Sequence, residues 1–156
     1  MRPGIRLGVD AGRARVGVAL CDREGLLATP VATLRRGDGT VAELCALAEE
    51  HGAVELVVGL PLSLGGGDTA STADARALAD ELAAAASVPV RLVDERLSTV
   101  TAQRALHQSG RSVKSSRAVI DQVAAVIILQ NALDFERTAG RPPGTLVEPH
   151  KGRPSS

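Results

Sequence analysis

Three carboxylates stand where a merely structural acid is awkward: Asp10, Glu95 and Asp121. Asp10 ends the alternating run Ile5-Arg6-Leu7-Gly8-Val9 and is followed by Ala11-Gly12. Glu95 follows another strand-like run, Leu92-Val93-Asp94. Ligands of open α/β sheets bind just beyond the carboxyl ends of strands, so two acids far apart in sequence can meet there. Asp94 and Glu95 point to opposite sides of a strand, so only one of them joins such a site. Asp121 lies in the first turns of a helical pattern. The positions three, four and seven residues further on are Ala124, Ala125 and Ile128, an apolar stripe on the same face. Asp121 is therefore expected to point toward the sheet. An unpaired buried carboxylate is costly or becomes protonated. A metal ion removes that penalty, and the small Ala124 and Ala125 let the helix come close enough for a short side chain to reach it. The competing explanation is an ion pair with Arg117, four residues earlier.

A carboxylate site without Cys or paired His suits hard, oxygen-seeking cations, so Mg²⁺ or Mn²⁺ is the expected metal. Two such ions, about 3.5–4 Å apart, stabilise both the attacking and the leaving oxygen in phosphodiester hydrolysis. Basic residues then acquire a purpose: Arg13, Arg15, Arg96, Arg104, Arg111, Lys114 and Arg117 are candidates to hold a phosphate backbone. No acidic residue occurs between Arg96 and Asp121, which makes this a local basic stretch. Taken alone, the same stretch reads as a solvated charged face.

The elements that must position these residues follow from periodicity. Residues 5–10, 16–21 and 27–34 alternate as three strands of an antiparallel meander. Pro30 lacks an N–H, so the third strand belongs on an edge, or Pro30 sits at a bulge. Thr40 and Glu43 form a capping-box pattern opening a helix to His51, with Gly52 as its stop. Residues 54–58 are nearly all apolar, as in a central parallel strand. Ser71 is a candidate cap for a second helix with the stripe Ala75, Leu78, Ala79, Leu82 and Ala86. Residues 90–94 form a fifth strand. A short helix follows from Ser98 to Gly110, and a long one over about 117–138. The order predicts one α/β domain over 1–139, a five-stranded mixed sheet with helices on both faces. Residues 140–156 read as a mostly disordered tail, broken by Leu146-Val147.

Composition narrows the classes. At 156 residues the chain has the size of one domain, which buries roughly 70% of its unfolded surface without help from disulfides. Phe135 is its only aromatic residue, so the core must be Val, Leu, Ile and Ala, and no stacking platform for bases exists. Net charge is +0, so the distribution of charge matters more than its sum. Cys21 and Cys45 show no C-x-x-C spacing and read as small core hydrophobes. The N-terminal residues show no secretory pattern and no apolar run spans a bilayer, which leads us to expect a cytoplasmic protein without membrane contact. Gly65-Gly66-Gly67 lacks the following Lys-Ser/Thr of a P-loop, and no Ser sits in a G-x-S-x-G elbow. None of the three histidines has a partner that suggests a catalytic triad.

Four segments together resemble the motifs of the YqgF family, also called RuvX: LGVDAGRARVGVAL, VVGLPLSLGG, DERLST and IDQVAAVIILQNALD, in family order over about residues 5–138. The resemblance implies an RNase H-like fold and a bacterial nuclease with Asp10, Glu95 and Asp121 as acidic metal ligands. It implies 5′-end maturation of pre-16S rRNA in ribosome biogenesis, or resolution of Holliday junctions, as the role. Nucleic acid, either precursor rRNA or branched DNA, is then the partner. A resolvase making paired cuts would want a homodimer, whereas a 5′-end trimmer could act as a monomer. Departures are mild: Ala11 follows the first Asp where a larger residue or Pro is frequent, and Ala77-Leu78 stand where an aromatic is frequent. Two rival readings are a phosphotransferase of the sugar-kinase and actin type, which needs two such domains, and a nucleic-acid-binding module without chemistry.

Overall fold

The computed structural model describes residues 3–61, 69–94 and 117–147, with side chains in the last stretch from residue 122 onward. In chain order the elements are β1 (Ile5–Ala11), β2 (Arg15–Cys21), β3 (Ala28–Arg35), α1 (Thr40–His51), β4 (Ala53–Leu60), α2 (Ala70–Ala85), β5 (Val90–Asp94), α3 (Arg117–Ala139) and β6 (Thr145–Leu146). They form one mixed sheet in the order β3-β2-β1-β4-β5-β6. The expected short helix over 98–110 and the loop glycines Gly65, Gly66 and Gly67 lie outside the described residues.

The meander and the parallel strands stand as expected. β1 pairs antiparallel with β2 and β2 with β3, while β1, β4 and β5 run parallel. Pro30 satisfies both of its options. β3 ends the sheet, and its register with β2 shifts between Val18 and Ala19, so that Val31 is the extra residue beside Pro30. A residue without an N–H is tolerated there because the ladder is already interrupted.

Alternation divides the sheet into two faces. Leu7, Val9, Val16, Val18, Leu56, Val58 and Val90 pack with α1 and α2. Ala19, Cys21, Val57 and Val93 pack against Ala125, Ile128, Leu129, Ala132 and Leu133 of α3. Both faces are thus covered by helices, and the apolar strands are buried as parallel sheets require.

Four expectations need correction. Among the described residues the sheet has six strands, not five: Thr145 and Leu146, in the stretch read as a tail, pair with Leu92 and Arg91, and the Val147 N–H donates to the Val90 carbonyl at 2.8 Å. Two exposed residues carry too little alternation to announce a strand. α1 is capped by Gly39 without a side-chain bond. The Thr40 hydroxyl instead accepts from the Gly37 N–H at 2.8 Å and donates to the Arg35 carbonyl at 3.1 Å, closing the turn before the helix. α2 is capped by Thr69 rather than Ser71, in a reciprocal box with Thr72. Its buried stripe ends on Ala83, with Ala86 only partly buried. The helix stop at Gly52 holds: that residue is left-handed, φ 68°, and its N–H returns to the carbonyls of Ala48 and Glu49.

Candidate active site

The approach of α3 to β1 sets the geometry of the site. A Cβ on Gly8 would lie 2.7 Å from the Leu129 Cβ and 3.2 Å from the Ala125 carbonyl oxygen. Glycine is the residue that lets helix and strand come this close. Two residues earlier on the same face, the Arg6 guanidinium is 3.6 Å from the Glu136 carboxylate. Along β1 the contacts thus run from Arg6 to Gly8, while along α3 they run backward from Glu136 through Leu129 to Ala125. Strand and helix are antiparallel. The next position of β1 on this face is Asp10, and one turn before Ala125 on α3 is position 121.

Asp10 is partly buried near the carboxyl end of β1 and engages in polar contact with its surroundings. Its partner on β2 is Gly17. On β4, Val58 is opposite Val9, so the following residue, Gly59, adjoins Asp10. Glycines are thus the direct cross-strand neighbours of Asp10 on both sides. On β5, Val93 packs against the α3 side and Leu92 against the other. Asp94 thereby falls on the α1–α2 side of the strand.

Of the expected acids, Asp10 has a described side chain. Asp121 lies within α3, with only its backbone described, and Glu95 lies outside the described residues. Among the described residues, no group of three His, Cys, Asp or Glu is placed to hold a metal ion. Of the basic candidates, Arg13 is exposed in the turn after β1 and Arg15 is partly buried at the start of β2. Arg117 opens α3, its side chain not described, and Arg96, Arg104, Arg111 and Lys114 lie outside the described residues.

Sequence reasoning missed the brace around this end of the sheet. Arg36, just after β3, donates from Nη1 to the Gly12 carbonyl at 2.9 Å and to Asp74 Oδ2 at 2.8 Å, and from Nη2 to Asp74 Oδ1 at 3.0 Å. Its N–H also donates to the Ala14 carbonyl at 3.0 Å. One arginine thereby ties the turn after Asp10 to α2. The Thr72 hydroxyl in turn donates to the Pro61 carbonyl, anchoring α2 to the end of β4. The pairing of Arg36 with Asp74 spans 38 residues and leaves no periodic signature in the sequence.

The opposite end of the α3 face carries a buried ion network. Arg6, Glu55 and Glu136 are at most 2% exposed. Arg6 lies 3.8 Å from Glu55, and Arg91 Nε donates to the same carboxylate at 2.9 Å. Cys21 accepts from the Arg6 N–H at 3.2 Å, and burial pushes its thiol up although Arg6 opposes the shift. These acids already have cationic partners, so this end is not a second carboxylate site.

Comparison with known proteins agrees with this architecture. A profile of RuvX, described as "Holliday junction resolvase", matches residues 4–135. A "Putative pre-16S rRNA nuclease" of Clavibacter michiganensis subsp. michiganensis is 59% identical over 150 residues, covering 94% of this chain and 93% of that protein. A protein of the same name from Streptomyces coelicolor is 55% identical over 151 residues, 95% of this chain and 90% of that one. Among solved structures, T. thermophilus RuvC in complex with a Holliday junction substrate superposes with a TM-score of 0.65 at 16% identity, covering 90% of this chain and 99% of that one. That likeness establishes an RNase H-like fold.

Proposed function

The chain belongs to the RuvX family, and from that premise we propose that it is a metal-dependent nuclease that hydrolyses phosphodiester bonds to mature the 5′ end of pre-16S rRNA. The observation that carries the reading is the antiparallel passage of α3 over β1, which brings position 121 to the level of Asp10. β5 ends at Asp94 beside β4, and its next residue is Glu95. Glu95 itself lies outside the described residues, and its part in the centre is carried by the family resemblance of DERLST. Asp10, Glu95 and Asp121 are the acids of the proposed centre.

The donor set fits hard cations. Asp10 stands between Gly17 and, by continuation of the β1–β4 register, Gly59, so its two direct cross-strand neighbours carry no side chain. Three carboxylates without thiolate or imidazole partners would hold Mg²⁺ or Mn²⁺, two ions in all. Such ions supply a lowered pKa for bound water and charge stabilisation for attacking and leaving oxygens. The chain's own contribution is placement. The Arg36 brace fixes the turn after Asp10, and the Gly8 contact fixes the height of α3. Arg13, Arg15, Arg96, Arg104, Arg111, Lys114 and Arg117 position the phosphate backbone. Phosphate contacts set register without reading sequence.

Among the described residues no helix is long and apolar enough to cross a membrane. A cytoplasmic location is part of the proposal, since precursor rRNA is processed there. The test is cleavage of a precursor 16S 5′ region beside a four-way DNA junction, each with Mg²⁺, Mn²⁺ or EDTA. Metal-dependent cutting of the RNA supports the proposal. Cutting of the junction alone replaces it with a resolvase, and cutting of neither removes the nuclease reading.

A further inference from the structure

The packed part of α3 begins later than the part that carries position 121. Among the described residues of the helix, Gln122, Val123 and Ala124 are only partly buried, and Ala125 is the first that is fully buried. Ala125, Ile128, Leu129, Ala132 and Leu133 then hold the helix to the sheet by apolar contact. Position 121 lies before that grip, about 6 Å ahead of Ala125 along the axis. The first turn of a helix frays unless side chains or packing tie it down. The nearest anchor among the described residues is Gln122, whose Nε2 donates to the Thr33 hydroxyl of β3 at 3.1 Å.

Thr33 stands on the row of the sheet that holds Asp10. Asp10 pairs with Gly17 and Gly17 with Thr33, so the three are direct partners across β1, β2 and β3. Strands lie about 4.8 Å apart, which puts Thr33 about 10 Å from Asp10 along the row. The bulge in β3 creates this alignment. Before it, Cys21 faces Ala28, Leu20 faces Thr29 and Ala19 faces Pro30. Unbroken pairing would continue with Ala32 opposite Gly17, and the extra residue, Val31, brings Thr33 there instead. A hydroxyl thus takes a place that would otherwise fall to an alanine, and α3 is hydrogen-bonded to the row of Asp10 one residue after position 121. One residue is 1.5 Å along a helix and about 100° around it, so a tether at 122 sets both the level and the rotation of position 121.

We propose that Gln122 is a positioning residue for the metal centre: held by Thr33, it fixes the start of α3 at the level of Asp10 and so places Asp121. The proposal rests on the nuclease reading above and adds to it a residue pair outside the acids and the basic candidates. Gln130 makes the contrast. It also ties α3 to the β2–β3 hairpin, accepting from the Ala28 N–H at 2.9 Å and donating to the Leu26 carbonyl at 3.0 Å. It does so more than two turns farther along the helix, beside the apolar grip and not ahead of it.

The test compares wild type with Gln122→Met, Thr33→Val, the double variant of these two, Thr33→Ser and Gln130→Met. Thermal melts are recorded in EDTA, and Mn²⁺ binding to the protein alone is followed by the EPR signal of free Mn²⁺. Cleavage of a precursor 16S 5′ region, below the melting range, supplies kcat and KM. Met keeps the length of Gln without its hydrogen bond, and Val keeps the shape of Thr without its hydroxyl. Gln122→Met is expected to bind Mn²⁺ more weakly and to lose about 10–100-fold in kcat, the order that a misplacement of up to about 1 Å costs, with KM little changed. The double variant should be no worse than Thr33→Val, because the two residues act as one tether, and Thr33→Ser should keep kcat. Gln130→Met should melt lower than wild type yet retain kcat and Mn²⁺ affinity. Gln122→Met with wild-type kcat and Mn²⁺ affinity, losses that add in the double variant, or equal losses in Gln130→Met overturn the positioning role and leave the nuclease reading in place. Wild type that neither binds Mn²⁺ nor cuts the RNA overturns both. If wild type binds Mn²⁺ without cutting this RNA, the Mn²⁺ affinities of Gln122→Met and Gln130→Met decide the role of Gln122 by the same criteria.

Discussion

The Cβ of Leu129 occupies the space that a side chain on Gly8 would need, 2.7 Å from where that first carbon would stand. Carbon atoms do not approach so closely, so Gly8→Ala must lift α3 from β1. Overpacking of this kind costs about 1–3 kcal/mol. The same shift moves position 121 away from Asp10, and a misplacement of about 1 Å at a reacting centre costs on the order of 100-fold in rate. Gly8→Ala is expected to lose activity well beyond its loss of stability, measured by urea unfolding and single-turnover cleavage below the melting range. Full activity in a destabilised Gly8→Ala would mean that the height of α3 does not matter to the site.

Arg36→Ala removes the tie between the turn after Asp10 and α2. Its pair with Asp74 is bidentate and mostly buried, with side chains 19% and 27% exposed. Hydrogen bonds to charged groups of this kind contribute about 1.5–3 kcal/mol. The expected phenotype is a moderate loss of stability and a fall in kcat with little change in KM, because the turn positions Asp10 rather than binding substrate. Arg36→Lys keeps the charge but not the fork, and should recover only part of kcat. A change in KM alone would make Arg36 a substrate contact instead.

Much of this arrangement is legible in the sequence, for reasons that differ by element. β5 and α3 are readable because their apolar periods are uninterrupted, and α1 because Gly52 stops it sharply. Pro30 announces an edge or a bulge, and β3 uses both. The stripe Ala125 and Ile128 identifies the inward face of α3. β6 is not readable, since Thr145-Leu146 is exposed and acquires its strand character only from β5. The cap patterns mislead where a hydroxyl has a choice of partners: Thr40 closes the preceding turn instead of capping α1, and Thr69 has in Thr72 a reciprocal partner that Ser71 lacks. Arg36 with Asp74, and Arg6 with Glu55 and Glu136, are long-range pairs whose residues look locally like ordinary surface charges. Of the expected acids, only the placement of Asp10 and of helix position 121 can be compared with the fold, and the register of β1 against α3 is a property of packing that no local pattern encodes.

Arg6→Leu tests the buried network. It removes the arginine beside Glu136 and one of the two arginines beside Glu55, the other being Arg91. Breaking a buried pair by removing one partner costs about 3–5 kcal/mol. The network lies at the far end of β1 from Asp10, so the fraction that remains folded should keep its kcat. A stability change near zero by denaturant titration would show that the network is replaceable.

Asp22 gives a pH dependence with a defined sign. Its carboxylate accepts from the Leu27 and Leu26 N–H groups in the β2–β3 turn, and these bonds lower its pKa below the usual carboxylate value. A lowered folded-state pKa contributes stability above the ordinary carboxylate range, and that contribution is lost as pH falls through the folded value. Asp22→Ala should therefore be less stable than wild type near neutrality, and the gap should narrow on acidification below the ordinary range. A gap that is constant with pH, in urea midpoints, would remove the charge from the explanation.

The metal centre is tested most directly by Asp121→Asn, which keeps the size of the side chain and removes its charge. The measurement pairs thermal melts in EDTA with cleavage of the precursor RNA in Mn²⁺. An acid that shares a metal centre with Asp10 and Glu95 repels its neighbours when no metal is present, so the variant should melt at or above the wild-type temperature and lose most of its activity. A variant that melts lower yet cuts normally would make Asp121 a structural partner of Arg117 and contradict the metal centre proposed for this fold.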